Sequence, residues 1–163
     1  MTGVQTCALP ILAVIQRVKR ASVVIDGKTA GECGQGLMVL LGVAEGDTRL
    51  DAELLAAKMT KLRIFSDDSG KMNLSVKDVD GEMLVVSNFT LLANYVKGNR
   101  PDYMNSAKPD AANELYEYFK SLVKNEVKHV GCGEFGADME VTIVNDGPVT
   151  IVMDSKLLNK SKG

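Results

Sequence analysis

The chain has 163 residues, enough for one domain that buries roughly two-thirds of the surface its unfolded form exposes. Nineteen Lys and Arg against 21 Asp and Glu give a formal charge of −2, which excludes a general polyanion binder but leaves room for a local basic patch. No Trp, few aromatics, one His and three scattered Cys argue against a base-stacking platform and against a zinc site, and the cysteines read as reduced cytosolic thiols.

Cys7–Ile15 is an apolar run too short to span a bilayer. No Lys or Arg precedes it and no small-residue cleavage site follows, so it is a poor signal peptide. Residues 1–11 are therefore expected to be a foreign or disordered N-terminal extension. The domain is expected to span 12–154 and to end in a frayed basic tail, 155–163.

Ala13–Val18 alternates as a strand. Ser22–Ile25 and Lys28–Ala30 flank Asp26-Gly27, which suits a tight hairpin because both residues tolerate positive φ. Leu37–Val43 is a continuous apolar run of strand length, expected to be buried on both faces. Gly34-Gln35-Gly36 precedes that strand, so it is not a dinucleotide fingerprint. Thr48–Arg63 is the first predicted helix, with a Thr48/Asp51 capping box and Leu55, Met59 and Leu62 on one face. Asp67-Asp68-Ser69-Gly70 lacks the later bidentate Glu of a calcium loop and reads as a solvated turn.

Glu82–Phe89 is a strand whose end carries Ser87, Asn88, Phe89 and Thr90. Hydroxyls, a carboxamide and backbone N–H groups gathered there could hold an ester carbonyl and its developing oxyanion, or could simply satisfy a strand end. Ala93–Tyr103 is a loop with Lys97, Gly98, Arg100 and Pro101, either plainly solvated or suited to phosphate; Arg17, Lys19 and Arg20 are the other basic group. Asp110–Glu126 is the second helix, with Leu115, Tyr118 or Phe119, and Leu122 facing inward, and Gly131–Met139 is a glycine-rich turn. Val141–Val144 and Val149–Met153 are strands split by Asn145-Asp146-Gly147-Pro148. Gly147-Pro148 is either an ordinary turn or a stiff backbone edge aimed at a ligand.

The usual acyl-transfer machinery is missing. His129 is the one histidine, no cysteine has an evident base, and no carboxylates pair for glycoside chemistry. A hydrolase built from these residues works by positioning and oxyanion stabilisation.

AVIQRV, GLMVLLGV, LRIFSDDSGKMNLSV, LVVSNFTL, KGNRP, EFGADM and NDGPVT follow one another from about Ala13 to Asp154. In that order they resemble the D-aminoacyl-tRNA deacylases of bacteria and eukaryotes. The resemblance implies a cytoplasmic homodimer that hydrolyses the ester between a D-amino acid and the terminal adenosine of tRNA, with no metal or organic cofactor and no membrane partner. It implies an α/β fold: a three-layer single domain of mixed and antiparallel sheets with two helices. Catalysis falls to Ser87, Asn88, Phe89 and Thr90, and Lys97 and Arg100 are the candidate tRNA contacts. The family's Gly-Pro pair, cis in its members, corresponds to Gly147-Pro148. It reaches into the partner subunit's pocket, where its backbone leaves no room for an L side chain while achiral glycine passes. The family usually has Gln where this chain has Asn88, so a contact is either lost or relayed by water. Thr90 either attacks the ester or orients it. With no base beside it, orientation is the expected role, and the N–H groups of Phe89 and Thr90 are the expected oxyanion donors. Two other classes fit the same scaffold: a binding module that captures aminoacyl-tRNA without cleaving it, and a small-molecule amino-acid esterase.

Overall fold

β1 (Leu12–Ile25) is the strand on which the rest of the chain is hung; the computed structural model describes residues 10–160. Along one edge it pairs antiparallel with β3 (Gly36–Gly42) through Leu12–Val18 and with β2 (Lys28–Cys33) through Ala21–Ile25. The β1–β2 hairpin closes at Asp26 and Gly27, both at positive φ, as expected. Along the other edge β1 pairs antiparallel with β8 (Glu140–Asp154). The sheet continues from β3 to β6 (Glu82–Ser87) and from β6 to β7 (Val130–Cys132), both parallel. A separate pair, β4 (Phe65–Ser66) and β5 (Met72–Leu74), flanks the acidic turn. Asp67 closes that turn itself, its Oδ1 accepting from the Ser69 and Lys71 amides at 2.8 and 3.0 Å.

The continuous run in β3 is buried on both faces because the sheet has a hydrophobic cluster on each side. Leu37, Val39 and Leu41 join Ile15, Met83 and Val85 under α1 (Arg49–Met59) and α2 (Pro109–Lys124). Met38 joins Val18, Val23, Leu84 and Val86 on the opposite side. The sheet curls until β2 and β7 meet. Side chains at Gly31 and Gly131 would drive into the Cys132 and Glu32 backbones, so glycine alone permits this seam. His129 closes it with a 2.8 Å bond between Nε2 and the Glu32 carbonyl.

Several expectations need correction. β1 is one strand, not two. Of the two alternatives in α2, Phe119 is the buried one and Tyr118 only partly so, and α2 also buries Tyr116: its hydroxyl donates to the Val85 carbonyl at 2.9 Å, while the Tyr118 hydroxyl bonds with Glu53. Among the described residues there are three α-helices instead of two, because residues expected to fray form α3 (Ser155–Lys160). Ser155 is fully buried; its N–H donates to the Ile11 carbonyl, and its hydroxyl accepts from the Ile11 N–H and donates to Asp51 Oδ1. Ile11, assigned to the extension, is therefore core. The remaining expectations for 1–9 and 161–163 lie outside the described residues.

Asp51 and Asp47 explain why α3 docks. Thr48 and Asp51 form the expected cap, with the Thr48 N–H donating to Asp51 Oδ2 at 2.9 Å, and Lys156 Nζ reaches both Asp51 oxygens at 3.0 Å. Burial works against the Asp51 charge, yet the Thr48 amide, Lys156 and Ser155 hold its carboxyl below the ordinary value. Asp47 fares differently. One oxygen accepts from the Ala44 amide at 2.6 Å, while buried Oδ1 has no hydrogen-bond partner and lies 3.8 Å from Lys156 Nζ. Burial, with Asp51 and Asp154 adding repulsion, pushes its carboxyl from 3.8 up to about 7, against the pull of Ala44 N–H and Lys156. The folded state thus resists ionising Asp47, and stability falls as pH rises from about 4 to about 7, then levels. Asp47→Asn keeps the acceptor and removes the charge. Above pH 7 it should be more stable than the parent, on the order of 2 kcal/mol. Urea midpoints should separate at pH 8 and converge at pH 4.5.

Candidate active site

β3 and β6 are parallel and end together, with Leu41 opposite Ser87 and the Asn88 N–H donating to the Leu41 carbonyl at 2.8 Å. Ser87 is thus the last strand residue, and the chain turns at once into a 3₁₀ turn, Phe89–Leu92. Asn88 caps it: Oδ1 accepts from the Thr90 N–H at 3.2 Å and from the Thr90 hydroxyl. Gly42 lets the turn pack against the end of β3, since a Cβ there would crowd Leu92 and the Asn88 carbonyl.

A second wall comes from residues 103–112. Ala107 N–H donates to the Val43 carbonyl and Glu45 N–H to the Asn105 carbonyl, while Ser106 Oγ donates to the Phe89 carbonyl at 3.2 Å. Phe89 and Tyr103 meet edge to face, centroids 4.9 Å apart. Phe135–Met139 forms a third wall. The cleft so formed is open on one side, holds about 790 Å³ and brings Ser87, Asn88, Phe89 and Thr90 together against Leu40, Val43, Val86, Ala112 and Val141. Its polar groups gather on one side of a mostly apolar lining, with Phe89 and Thr90 still open to solvent.

This geometry changes one expectation. The Asn88 carboxamide turns back on Thr90. The Thr90 N–H is occupied by it, so of the two expected oxyanion donors only the Phe89 N–H lacks a partner among the described residues. The Thr90 hydroxyl donates to an amide oxygen, which orients it but is too weak a base to activate it.

Gly147-Pro148 lies elsewhere. β8 is a single strand, and the expected break is an excursion within it. Register with β1 jumps from Gln16–Thr150 to Val18–Asn145, leaving Asp146–Val149 to bulge out opposite Arg17. The Gly147-Pro148 bond is cis and both residues are exposed. Asn145 staples the base of the bulge, its Oδ1 accepting from the Val149 N–H at 2.8 Å and its Nδ2 donating to Thr150 Oγ1 at 3.1 Å. Neither Gly147 nor Pro148 lines the cavity of its own chain. Lys97 and Arg100 are also outside it, exposed on a loop closed by reciprocal Asn94–Asp102 bonds.

A profile described as D-Tyr-tRNA(Tyr) deacylase matches residues 14–154, nearly the whole described chain. The chain belongs to the D-Tyr-tRNA(Tyr) deacylase family. A Caldicellulosiruptor saccharolyticus protein named D-aminoacyl-tRNA deacylase is 56% identical over 144 residues, 88% of this chain and 97% of the relative. A Geobacter sulfurreducens protein of the same name is 52% identical over 149 residues, 91% of this chain and 98% of the relative. A solved structure described as c-Myc DNA Unwinding Element Binding Protein superposes with a TM-score of 0.82 at 41% identity, covering 87% of this chain and 97% of its own. One described as a probable eukaryotic D-amino acid tRNA deacylase shares the fold at 19% identity and a TM-score of 0.73, covering 90% and 100%.

Within this deacylase-family chain, Arg17 is the functional candidate that the sequence hid, since it read only as part of a basic group. Its side chain is 12% exposed, donating from Nε to the Asp146 carbonyl at 2.9 Å and from Nη1 to the Ile64 carbonyl at 2.6 Å. Asp146 Oδ2 adds an ion pair at 3.6 Å. The guanidinium so anchors the excursion that carries Gly147, whose φ of 147° and tight surroundings suit glycine. Cys33 is buried, and burial, then the Glu82 charge, pushes its thiol up to about 11, which disfavours the thiolate. No helix among the described residues is long and apolar enough to cross a membrane.

Proposed function

We propose that the chain hydrolyses the ester between a D-amino acid and the 3′-terminal adenosine of tRNA, working as a cytoplasmic homodimer without a cofactor. One observation carries this reading: a hydroxyl oriented by Asn88, with an unpartnered amide beside it, faces an apolar cavity at the ends of two parallel strands. The ester carbonyl accepts from the Phe89 N–H, and Thr90, with Ser87 nearby, orients the acyl group. Water attacks the carbonyl carbon, the tetrahedral oxyanion collapses, and the C–O bond to the ribose breaks. The water proton passes to the departing 3′ oxygen through the neighbouring 2′-OH. Removing a single oxyanion donor of this kind costs about 10²–10³-fold in rate.

Gly147-Pro148 does not reach its own cavity, which supports a role in the partner's. There the exposed excursion narrows the space beside the acyl carbon, so L side chains are excluded while D-aminoacyl and glycyl esters are accepted. Lys97 and Arg100 contact tRNA phosphates.

Incubation with D-Tyr-tRNA, L-Tyr-tRNA and a simple D-amino-acid ester tests the reading. Rapid release from D-Tyr-tRNA alone is expected. Capture without cleavage would make the chain a binding module, and cleavage of the simple ester alone an esterase. Thr90→Ala should retain about a tenth to a hundredth of the parent rate, as for the loss of one positioning contact. An acyl-Thr90 adduct seen by mass spectrometry would make Thr90 the nucleophile instead.

A further inference from the structure

The mouth of the cavity carries an apolar rim that neither the core nor the hydrolytic step uses. Tyr95 is 75% exposed, Val96 and Met104 are 83% exposed, and Phe89 and Tyr103 are exposed beside them. Single surface hydrophobics need no explanation, but a contiguous group beside a site does. The chain has only four Tyr and four Phe; two of these rings, Phe89 and Tyr103, line the cavity, and a third, Tyr95, lies on the loop that Tyr103 leaves. The Asn94–Asp102 bonds of 2.8 and 2.9 Å bring the two ends of the loop together, and Tyr95 and Tyr103 each directly follow one of these bridging residues. Tyr103 in turn packs on Phe89, and both line the cavity. Lys97 and Arg100 lie on the same loop.

We propose that this rim is a stacking surface for the unpaired nucleotides that precede the 3′-terminal adenosine of tRNA, with Tyr95 as its outermost ring. The proposal rests on the function inferred above. If the ester lies at Ser87–Thr90, the terminal adenosine shares the cavity with the partner's excursion and the preceding nucleotides leave across its mouth. Aromatic rings stack on any base and so suit substrates that vary in sequence. Lys97 and Arg100 supply local cations for the adjoining phosphates, whereas a chain of net charge −2 has no general attraction for RNA. A low aromatic count argues against a general platform, yet the rings present are concentrated where a single strand has to exit.

The test compares D-tyrosyl-adenosine, the D-tyrosyl trinucleotide CCA and D-Tyr-tRNA with the parent, Tyr95→Ser, Tyr95→Phe and the Lys97→Gln/Arg100→Gln double variant. In the parent, adding two nucleotides to D-tyrosyl-adenosine should lower KM at least tenfold. Tyr95→Ser should lose most of that gain, about tenfold, and Tyr95→Phe should restore it. The salt slope of tRNA binding should be unchanged in Tyr95→Ser and reduced by about one to two in the double variant. The proposal is overturned if the trinucleotide gains nothing over D-tyrosyl-adenosine, or if Tyr95→Ser keeps the full gain. Dissociation of the Tyr95→Ser oligomer in sedimentation velocity would also overturn it, making the rim an interface between copies. Should the parent cleave none of the three substrates, the inferred function fails and the rim proposal with it; cleavage without a nucleotide gain fails the rim alone.

Discussion

Gly36→Ala is expected to leave no folded protein. The added Cβ would overlap the Glu82 carbonyl oxygen and lie 2.7 Å from both the C and the N of Glu82. These are backbone atoms, fixed by the Glu82 N–H bond to the Gln35 carbonyl at 2.9 Å and by the Gly34 N–H bond to Glu82 Oε1 at 2.7 Å. No rotamer relieves the overlap, so β3 and β6 must separate, and with them the strand ends that carry Ser87 and Asn88. The cost should exceed about 5 kcal/mol, comparable with the whole stability of a small domain. Gly70→Ala is the contrasting case, with open space but φ of 79°, and should cost only about 1–2 kcal/mol. Far-ultraviolet circular dichroism of the soluble fraction checks both. A Gly36→Ala chain with parental spectrum and melting would show that the two strands can part cheaply.

Arg17→Met should relax chiral selection more than it lowers the rate on D-substrate. Met keeps an apolar stem but loses the donors to the Asp146 and Ile64 carbonyls. Hydrogen bonds from a charged donor contribute about 1.5–3 kcal/mol, so the preference for D over L in kcat/KM should fall by about 10- to 100-fold. Arg17→Lys should recover little, because an ammonium lacks the planar fork that reaches two carbonyls at once. Hydrolysis of D-Tyr-tRNA and L-Tyr-tRNA by each variant, with melting temperatures alongside, checks this. An unchanged D/L ratio would detach the excursion from selectivity.

What could be read from the residues depended on how local the physics was. Asp26-Gly27 and Thr48/Asp51 act within a few positions, and both form as read. Leu37–Val43 needed only its unbroken apolarity to be placed in the sheet centre. The polar end of β6 was legible too, but its geometry was not: whether Asn88 faces the cavity or turns back to cap Thr90 depends on the 3₁₀ turn that follows. α3 could not be seen in six mostly polar residues, because it is held by Asp51, 104 positions away. β8 was divided because Gly and Pro read as punctuation, whereas a partner strand as long as β1 can bridge an excursion. Arg17 was lost for another reason. Alternation carries Arg17 to the same side of the sheet as Ala13 and Ile15, but an Arg is rarely buried unless paired, and its partners, the Asp146 and Ile64 carbonyls, are distant in the sequence.

The excursion in β8 also bears on how the chain behaves in concentrated solution. Among the described residues β1 is the one strand that pairs with β8, so within one chain the far edge of β8 offers unpaired amides and carbonyls beside β-branched side chains such as Val152. A long, flat edge of that kind templates cross-β stacking between copies. Asp146–Val149 steps out of line near its middle, and Pro148 has no N–H to offer. The free edge is cut into two short pieces that no longer form one continuous line. A Gly-Pro pair in mid-strand thus denies a second copy an uninterrupted edge to pair with.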